Sequence, residues 1–315
     1  MVVKETIINE TTVQGKMHRE EKSIMKKKFR SIGLIVLVLV LLFTACGGGD
    51  EITSPDNVQS DTPQMTNEKI TLAETEIYNK DGIIIKVTGL EDSWVGTEVK
   101  VLVENNSADN ILVTARYVSI NGYMMPTASM YMEVASSKKA NGELSFYASE
   151  LSEANIEKIS DIEFYVEISD NATWQTLDTS DLITLTTSAV DYVQPIDDSG
   201  DVLFEKKDIK VISKGLKKDM IWDGAVVFYI ENNSNTTVSV YAENVSVNGF
   251  MVDAGLWSDL RPATRMVDGM YLLDLEELAI ENIDEIENIE FNLRIVNAKN
   301  WNDIAKSDVI TLNFK

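Results

Sequence analysis

From about Glu68 onward, apolar residues recur at every second position in short runs. Ile162, Phe164, Val166 and Ile168 alternate with Glu163, Tyr165 and Glu167, and Val99, Val101 and Val103 keep the same period. A second set, Val226, Phe228 and Ile230 followed by Ile289, Phe291, Leu293 and Ile295, does so again. Period two means strands with one packed and one wet face, as in antiparallel sheets. Asn121-Gly122 and Asn248-Gly249 sit between apolar runs. They predict type I′ hairpins, because both positions of such a turn need φ > 0. The period turns helical at Leu151, Ala154, Ile156 and Ile159, and again at Leu278, Ile280, Ile283 and Ile286. One or two helical turns are expected at each place, with Asp274 and Glu277 as a cap pair in the second.

The runs are duplicated. Glu104-Asn105-Asn106-Ser107 returns 127 residues later as Glu231-Asn232-Asn233-Ser234, and Ser119-Ile120-Asn121-Gly122-Tyr123 as Ser246-Val247-Asn248-Gly249-Phe250. Ile162-Glu163-Phe164, Trp174 and Asp181-Leu182-Ile183-Thr184-Leu185 recur at the same offset as Ile289-Glu290-Phe291, Trp301 and Asp308-Val309-Ile310-Thr311-Leu312. A repeat at one spacing predicts two like domains, each of roughly 115 residues, ample for one core. The expected fold class is all-β: two tandem sandwich repeats over 68–188 and 203–315, each with one short helix, joined by a linker at 189–202.

Upstream lies a different kind of segment. Lys26, Lys27, Lys28 and Arg30 precede an apolar run from Ile32 to Phe43, and small residues lead into Cys46 and three glycines. A basic flank, a short apolar core and small residues before a cut site mark a secretory signal. A transmembrane helix needs about 20 apolar residues, more than the uncharged run from Ser31 to Ala45 provides. Leu42-Phe43-Thr44-Ala45-Cys46 resembles the lipobox of bacterial lipoproteins, with Phe43 where that family more often has leucine. The resemblance implies a signal peptide over 25–45, peptidase recognition through Leu42 to Ala45, and a lipid on the Cys46 thiol. Residues 46–67, rich in Gly, Asp, Ser, Thr and Pro, read as an unfolded stalk. Residues 1–24 read as an extension upstream of the true start at Met25, since they would bury the basic flank.

Composition narrows the chemistry. The chain has 28 Lys+Arg against 51 Asp+Glu, net −23. Beyond Ala45 the balance is 20 against 47, or −27. That repels polyanions and makes nucleic acid a poor partner. Cys46 is the only cysteine, so no disulfide forms within the chain, and the one histidine, His18, precedes the cleavage site. Histidine- or thiol-based nucleophilic catalysis and the usual zinc sites are thereby excluded from the mature part, and no cofactor is expected.

The paired E-N-N-S turns, S-[IV]-N-G-[YF] hairpins, I-E-F strands and D-[LV]-I-T-L terminal strands resemble the tandem immunoglobulin-like modules of unknown function on Gram-positive lipoproteins. The resemblance implies a sandwich fold and brings no catalytic residues. Other chemistry is still open. A glycosidase needs two carboxylates across a cleft, and Glu163, Glu167 and Glu290 lie at outward strand positions. Asp197, Asp198 and Asp201 in the linker offer oxygens to calcium. Met124, Met125, Met130 and Met132, with Met251, Met266 and Met270, offer thioethers to Cu(I), or simply fill the core. Trp94 and Trp222, like Trp174 and Trp301, stand at related places and fit packing over a sheet edge, whereas the 127-residue offset places Trp257 opposite Met130. Divergence at such a position makes Phe250 to Arg265 and its copy Tyr123 to Lys138 the expected binding surface, with Trp257, Phe250, Tyr123 and Met130 as its named residues. The functional expectation is a non-catalytic lipoprotein on the outer face of the cytoplasmic membrane, held there by its N-terminal lipid, binding a protein or envelope ligand. A carboxylate-dependent carbohydrate-acting enzyme and an envelope sensor or transporter accessory are the alternatives.

Overall fold

A computed structural model describes residues 69–217, 224–273, 275–280 and 282–314, with the side chains of Glu276 and Glu277 left out. The lipobox-like motif, the expected signal peptide and stalk, Trp222, and Asp274 with the side chain of Glu277 from the expected cap pair lie outside the described residues. All that is described belongs to one compact unit beginning at Thr66.

The first repeat runs β1 (Thr75–Lys80), β2 (Ile83–Asp92), β3 (Gly96–Asn105), β4 (Ile111–Ile120), β5 (Tyr123–Met124), β6 (Tyr131–Val134), β7 (Lys138–Tyr147), α1 (Ala148–Glu153), β8 (Asp161–Asp170), β9 (Thr176–Thr179) and β10 (Ile183–Thr186). The second runs β11 (Asp201–Lys206), β12 (Ile209–Lys217), β13 (Ala225–Asn232), β14 (Val238–Val247), β15 (Phe250–Met251), β16 (Ala254–Gly255), β17 (Trp257–Leu260), β18 (Thr264–Leu272), β19 (Asn288–Asn297), β20 (Asp303–Lys306) and β21 (Ile310–Asn313). The protein is all-β.

Both repeats are wound alike. One sheet has the order β1-β2-β3-β7, and its counterpart β11-β12-β13-β18. The chain crosses after the third strand, so β6 and β8 flank β4 on the opposite sheet, as β17 and β19 flank β14. Inward residues of facing sheets meet in two cores. Ile85, Val99 and Phe146 pack with Val113, Phe164 and Val166 in the first. Val211, Phe228 and Met266 pack with Val240, Phe291 and Leu293 in the second.

Turn chemistry pins the registers. Asn121 and Asn248 adopt φ of 50° and 51°, each followed by a positive-φ glycine. Beyond turning the hairpin, each asparagine holds the segment that enters the I-E-F strand. Asn121 Oδ1 accepts from the Ser160 amide at 2.8 Å, and Asn248 Oδ1 from the Glu287 amide at 2.7 Å. The E-N-N-S turns work similarly. Asn232 is fully buried, donates through Nδ2 to the carbonyls of Thr236, Leu260 and Arg261, and accepts from the Ser234 amide and hydroxyl. Asn105 repeats this with Asp109, Val134 and Ser107.

The second helix differs from expectation. Where the first repeat forms α1, the second has two 3₁₀ turns, Leu275–Leu278 and Ile283–Glu285. Ala279 takes φ 56° directly after the first turn, and a left-handed residue ends helical propagation there.

The two repeats share a sheet. Arg265 of β18 pairs in parallel with Tyr123 of β5, its amide donating to the Gly122 carbonyl at 3.0 Å. This joins the second sheet of the first repeat to the first sheet of the second. Strand β13 is consequently buried on both faces from Ala225 to Ile230. Val226, Phe228 and Ile230 belong to their own core, while Tyr229, with Ile212, joins the core of the first repeat. Arg261 is 5% exposed. Its Nε donates to the Tyr117 carbonyl at 3.1 Å, and one terminal nitrogen donates to Ser119 Oγ at 2.6 Å and Glu163 Oε2 at 2.9 Å. Tyr117 sits in a β-bulge at φ 52°, so its carbonyl leaves the ladder and meets the guanidinium.

Candidate functional site

The outer face of the second repeat carries a row of side chains set by register. Trp257 of β17 lies opposite Tyr241 of β14, Tyr241 opposite Arg294 of β19, and Arg294 opposite Lys306 of β20. Directly opposed residues project to the same face. Trp301, from the turn after β19, completes an aromatic cluster. Ring centroids are 5.2 Å apart for Tyr241–Trp257, 5.7 Å for Trp257–Trp301 and 6.1 Å for Tyr241–Trp301. Trp257 and Trp301 are 56% and 54% exposed.

A similar cluster stands on the first repeat. Tyr131 of β6 lies opposite Thr114 of β4, just as Trp257 lies opposite Tyr241. Its ring is 6.3 Å from that of Trp174, and both are more than half exposed. The cross-strand register therefore corrects the counterpart of Trp257. It is Tyr131, because one residue fewer separates the hairpin from the next strand in the second repeat, and the offset there is 126.

Both turn tryptophans sit at φ 62°. That conformation is rare for a bulky residue and needs support from its surroundings. Asp170 Oδ1 accepts from the amides of Ala172 and Thr173, and the Trp174 amide donates to the Asp170 carbonyl at 2.9 Å. Asn297 Oδ1 accepts from Lys299 and Asn300 amides, and the Trp301 amide donates to the Asn297 carbonyl at 2.8 Å. Bonds from Thr173 hold the Asp170 carboxyl below its ordinary pKa. Two positions along from Thr114 and Tyr241 on the same strand face, Leu112 with Ser169 in one repeat and Ser239 with Val296 in the other point outward by register, yet all four are buried. Each copy has one apolar residue and one serine there, with the two swapped between strands.

The expected binding surface divides. Trp257 and Phe250 are exposed, whereas Tyr123 and Met130 are 2% and 4% exposed and present no surface. Tyr123 and Phe250 stand at the same hairpin position, but β5 is paired into the junction with β18 while β15 ends its sheet. Arg265 covers Tyr123, its guanidinium carbon 5.5 Å from the ring centroid. Met124, Met125, Met130 and Met132 are buried too, as are Met266 and Met270, and Met251 alone of that set is exposed. They fill space: a Cβ at Gly142 would come within 2.8 Å of the Met132 side chain.

Two of the three linker acids are already engaged. Asp197 accepts from the Ser199 amide and hydroxyl, and these bonds, with an ion pair to Lys214 at 3.0 Å, hold its carboxyl down at about 2. Asp198 pairs with Lys210 at 3.3 Å, and Asp201 opens β11. Among the described residues no group of three or more His, Cys, Asp or Glu is placed to hold a metal ion. Glu163, read as an outward strand acid, is instead the ion-pair partner of Arg261. A groove of about 270 Å³ lies between the repeats, lined by Tyr117, Met125, Pro126, Trp257, Asp259 and Met266. Trp257 thus belongs to both the groove and the aromatic cluster.

Among the described residues, two carboxyls are perturbed upward by burial. Glu150 of α1 is raised despite bonds from the Thr127 amide and hydroxyl, and the Asp268 charge adds to the shift. Asp268 on β18 is pushed up to about 6, although Ser258 and the Gly269 amide donate to it. A carboxyl whose folded pKa exceeds its unfolded one binds its proton more tightly when folded. Stability from this site is therefore full below the unfolded value and is lost as pH rises to about 6. Asp268→Asn is expected to stabilise the protein at pH 7 by on the order of 1–3 kcal/mol and to flatten the slope between about pH 4 and 6. Urea unfolding across that range checks it; an unchanged slope contradicts the assignment.

Comparison with protein-family models and with curated proteins found no match for this chain.

Proposed function

We propose that the chain is an exported lipoprotein, tethered through Cys46 to the outer face of the cytoplasmic membrane, whose paired sandwich repeats form a non-catalytic binding module. The observation that carries this reading is the recurrence of exposed aromatic clusters at matching places on both repeats, each served by a left-handed tryptophan in a hydrogen-bonded turn. Duplicated contact sites reward a repetitive or multivalent partner, since the second engagement is effectively intramolecular. The crossing after the third strand, with β7 returning beside β3, supports an immunoglobulin-like relationship of the two repeats. No helix among the described residues is long and apolar enough to cross a membrane, and the anchor reading rests on the Leu42–Cys46 motif.

Two measurements test this. Mass spectrometry of membrane-extracted protein is expected to find a lipid-modified Cys46 as the first residue; an unmodified thiol removes the anchor. Crosslinking in intact cells followed by affinity purification is expected to recover an envelope component from wild type and much less from Trp257→Ala/Trp301→Ala. Equal recovery from both would remove the aromatic clusters from the reading.

A further inference from the structure

The platform of the second repeat carries more than exposure. Its rings are flanked by charges that cancel locally. Arg294 pairs with Asp303 at 2.7 Å and Glu243 at 3.3 Å, and Lys306 pairs with Glu243 at 2.7 Å. Asp259 accepts from Trp257 Nε1 at 3.1 Å and from the Ser239 hydroxyl. An ionic partner meets counter-charges already engaged, and the strongly acidic chain repels anionic polymers. A dry protein interface would need the apolar surface to continue where this row turns to Arg294 and Lys306. A neutral polyhydroxylated ring suits both halves of the row. Its C–H face can stack on an indole, while its hydroxyls can donate to carboxylates and accept from guanidinium and ammonium groups.

Resting on the binding reading above, we propose that the cluster of Tyr241, Trp257 and Trp301 binds a neutral polysaccharide, one indole stacking on a pyranose ring while the other, set at 83° to it, walls its edge, with Arg294, Glu243 and Asp259 hydrogen-bonding its hydroxyls. Tyr131 and Trp174 form a two-ring version on the first repeat, so one chain holds two weak sites and gains avidity on a polymer.

The test uses the full chain extracted in detergent and labelled with 5-fluorotryptophan, titrated with cellohexaose and chitohexaose as neutral probes. Saturable displacement of the Trp257 and Trp301 fluorine resonances is expected, with that of Trp94, which is exposed but outside the platform, unmoved. The Trp174 resonance should shift too, at higher oligosaccharide concentration, and the overall affinity should fall at least tenfold in Trp257→Ala/Trp301→Ala, which keeps only that weaker two-ring site, and stay within twofold in Trp94→Ala. Should the double variant unfold, the wild-type resonances still decide. No saturable shift with either oligosaccharide, or equal binding by a folded double variant, overturns the proposal. If crosslinked partners are still captured through the platform in that case, only the ligand class fails; if they too are indifferent to it, the binding role of the platform fails with it.

Discussion

Replacing Arg261 with alanine is expected to cost about 2–4 kcal/mol and to split one unfolding transition into two. Removing one partner of a fully buried ion pair costs about 3–5 kcal/mol, because the other charge is left without compensation. Glu163 keeps 28% of its side-chain exposure and can recover water, which lowers that figure. The Tyr117 carbonyl and Ser119 hydroxyl lose a donor as well. Those three acceptors belong to the first repeat and the guanidinium to the second, so the loss falls on their junction while leaving each core intact. Urea unfolding followed at separate probes in the two repeats should therefore give coincident curves for wild type and divergent ones for Arg261→Ala. Glu163→Gln in the Arg261→Ala background should restore part of the stability, since a neutral amide tolerates the site better than an unpaired carboxylate. A loss under about 0.5 kcal/mol, the scale of an ordinary surface substitution, would show that Arg261 does not hold the repeats together.

Asn232→Ala is expected to be comparably damaging, about 2–4 kcal/mol, because it leaves several buried backbone groups without partners at once. The carbonyls of Leu260 and Arg261 sit where β17 runs toward β18, so the loss also loosens the segment that carries Arg261. Asn105→Ala should behave alike in the first repeat, with a smaller effect, as Asn105 Nδ2 serves two carbonyls where Asn232 serves three. The adjacent Asn106 and Asn233 are exposed, and alanine there should change stability by no more than about 0.5 kcal/mol. Thermal or urea denaturation of the four single variants separates the two asparagines of each motif. Similar losses at both positions of a motif would refute the buried-turn account.

Much of the fold was legible along the chain because its signals are local. Alternation at Ile162–Ile168, the Asn-Gly hairpins and the duplicated turns each depend on residues a few positions apart. The E-N-N-S motif is visible as a repeat, though only the folded structure gives its function: the first asparagine is a buried connector and the second is surface. The junction also left a trace that periodicity alone passed over. The outward positions Glu98 and Lys100 of β3 correspond to Ala225 and Val227 of β13. An outward face that is charged in one copy and apolar in the other marks what the second copy covers.

By itself, the sequence determined that this is a duplicated, strand-built protein with no disulfide within the chain and with a lipobox-like segment, since period, turn residues and composition are properties of short stretches. The tertiary structure decided which equivalent positions part company. Tyr123 is buried and Phe250 exposed because one hairpin joins a sheet shared between repeats and the other ends its own. It also decided that Trp257 stands with Tyr241 and Trp301, and in the place of Tyr131. Neighbourhood across strands is set by register and by contacts between distant segments, and these depend on how the whole chain closes on itself.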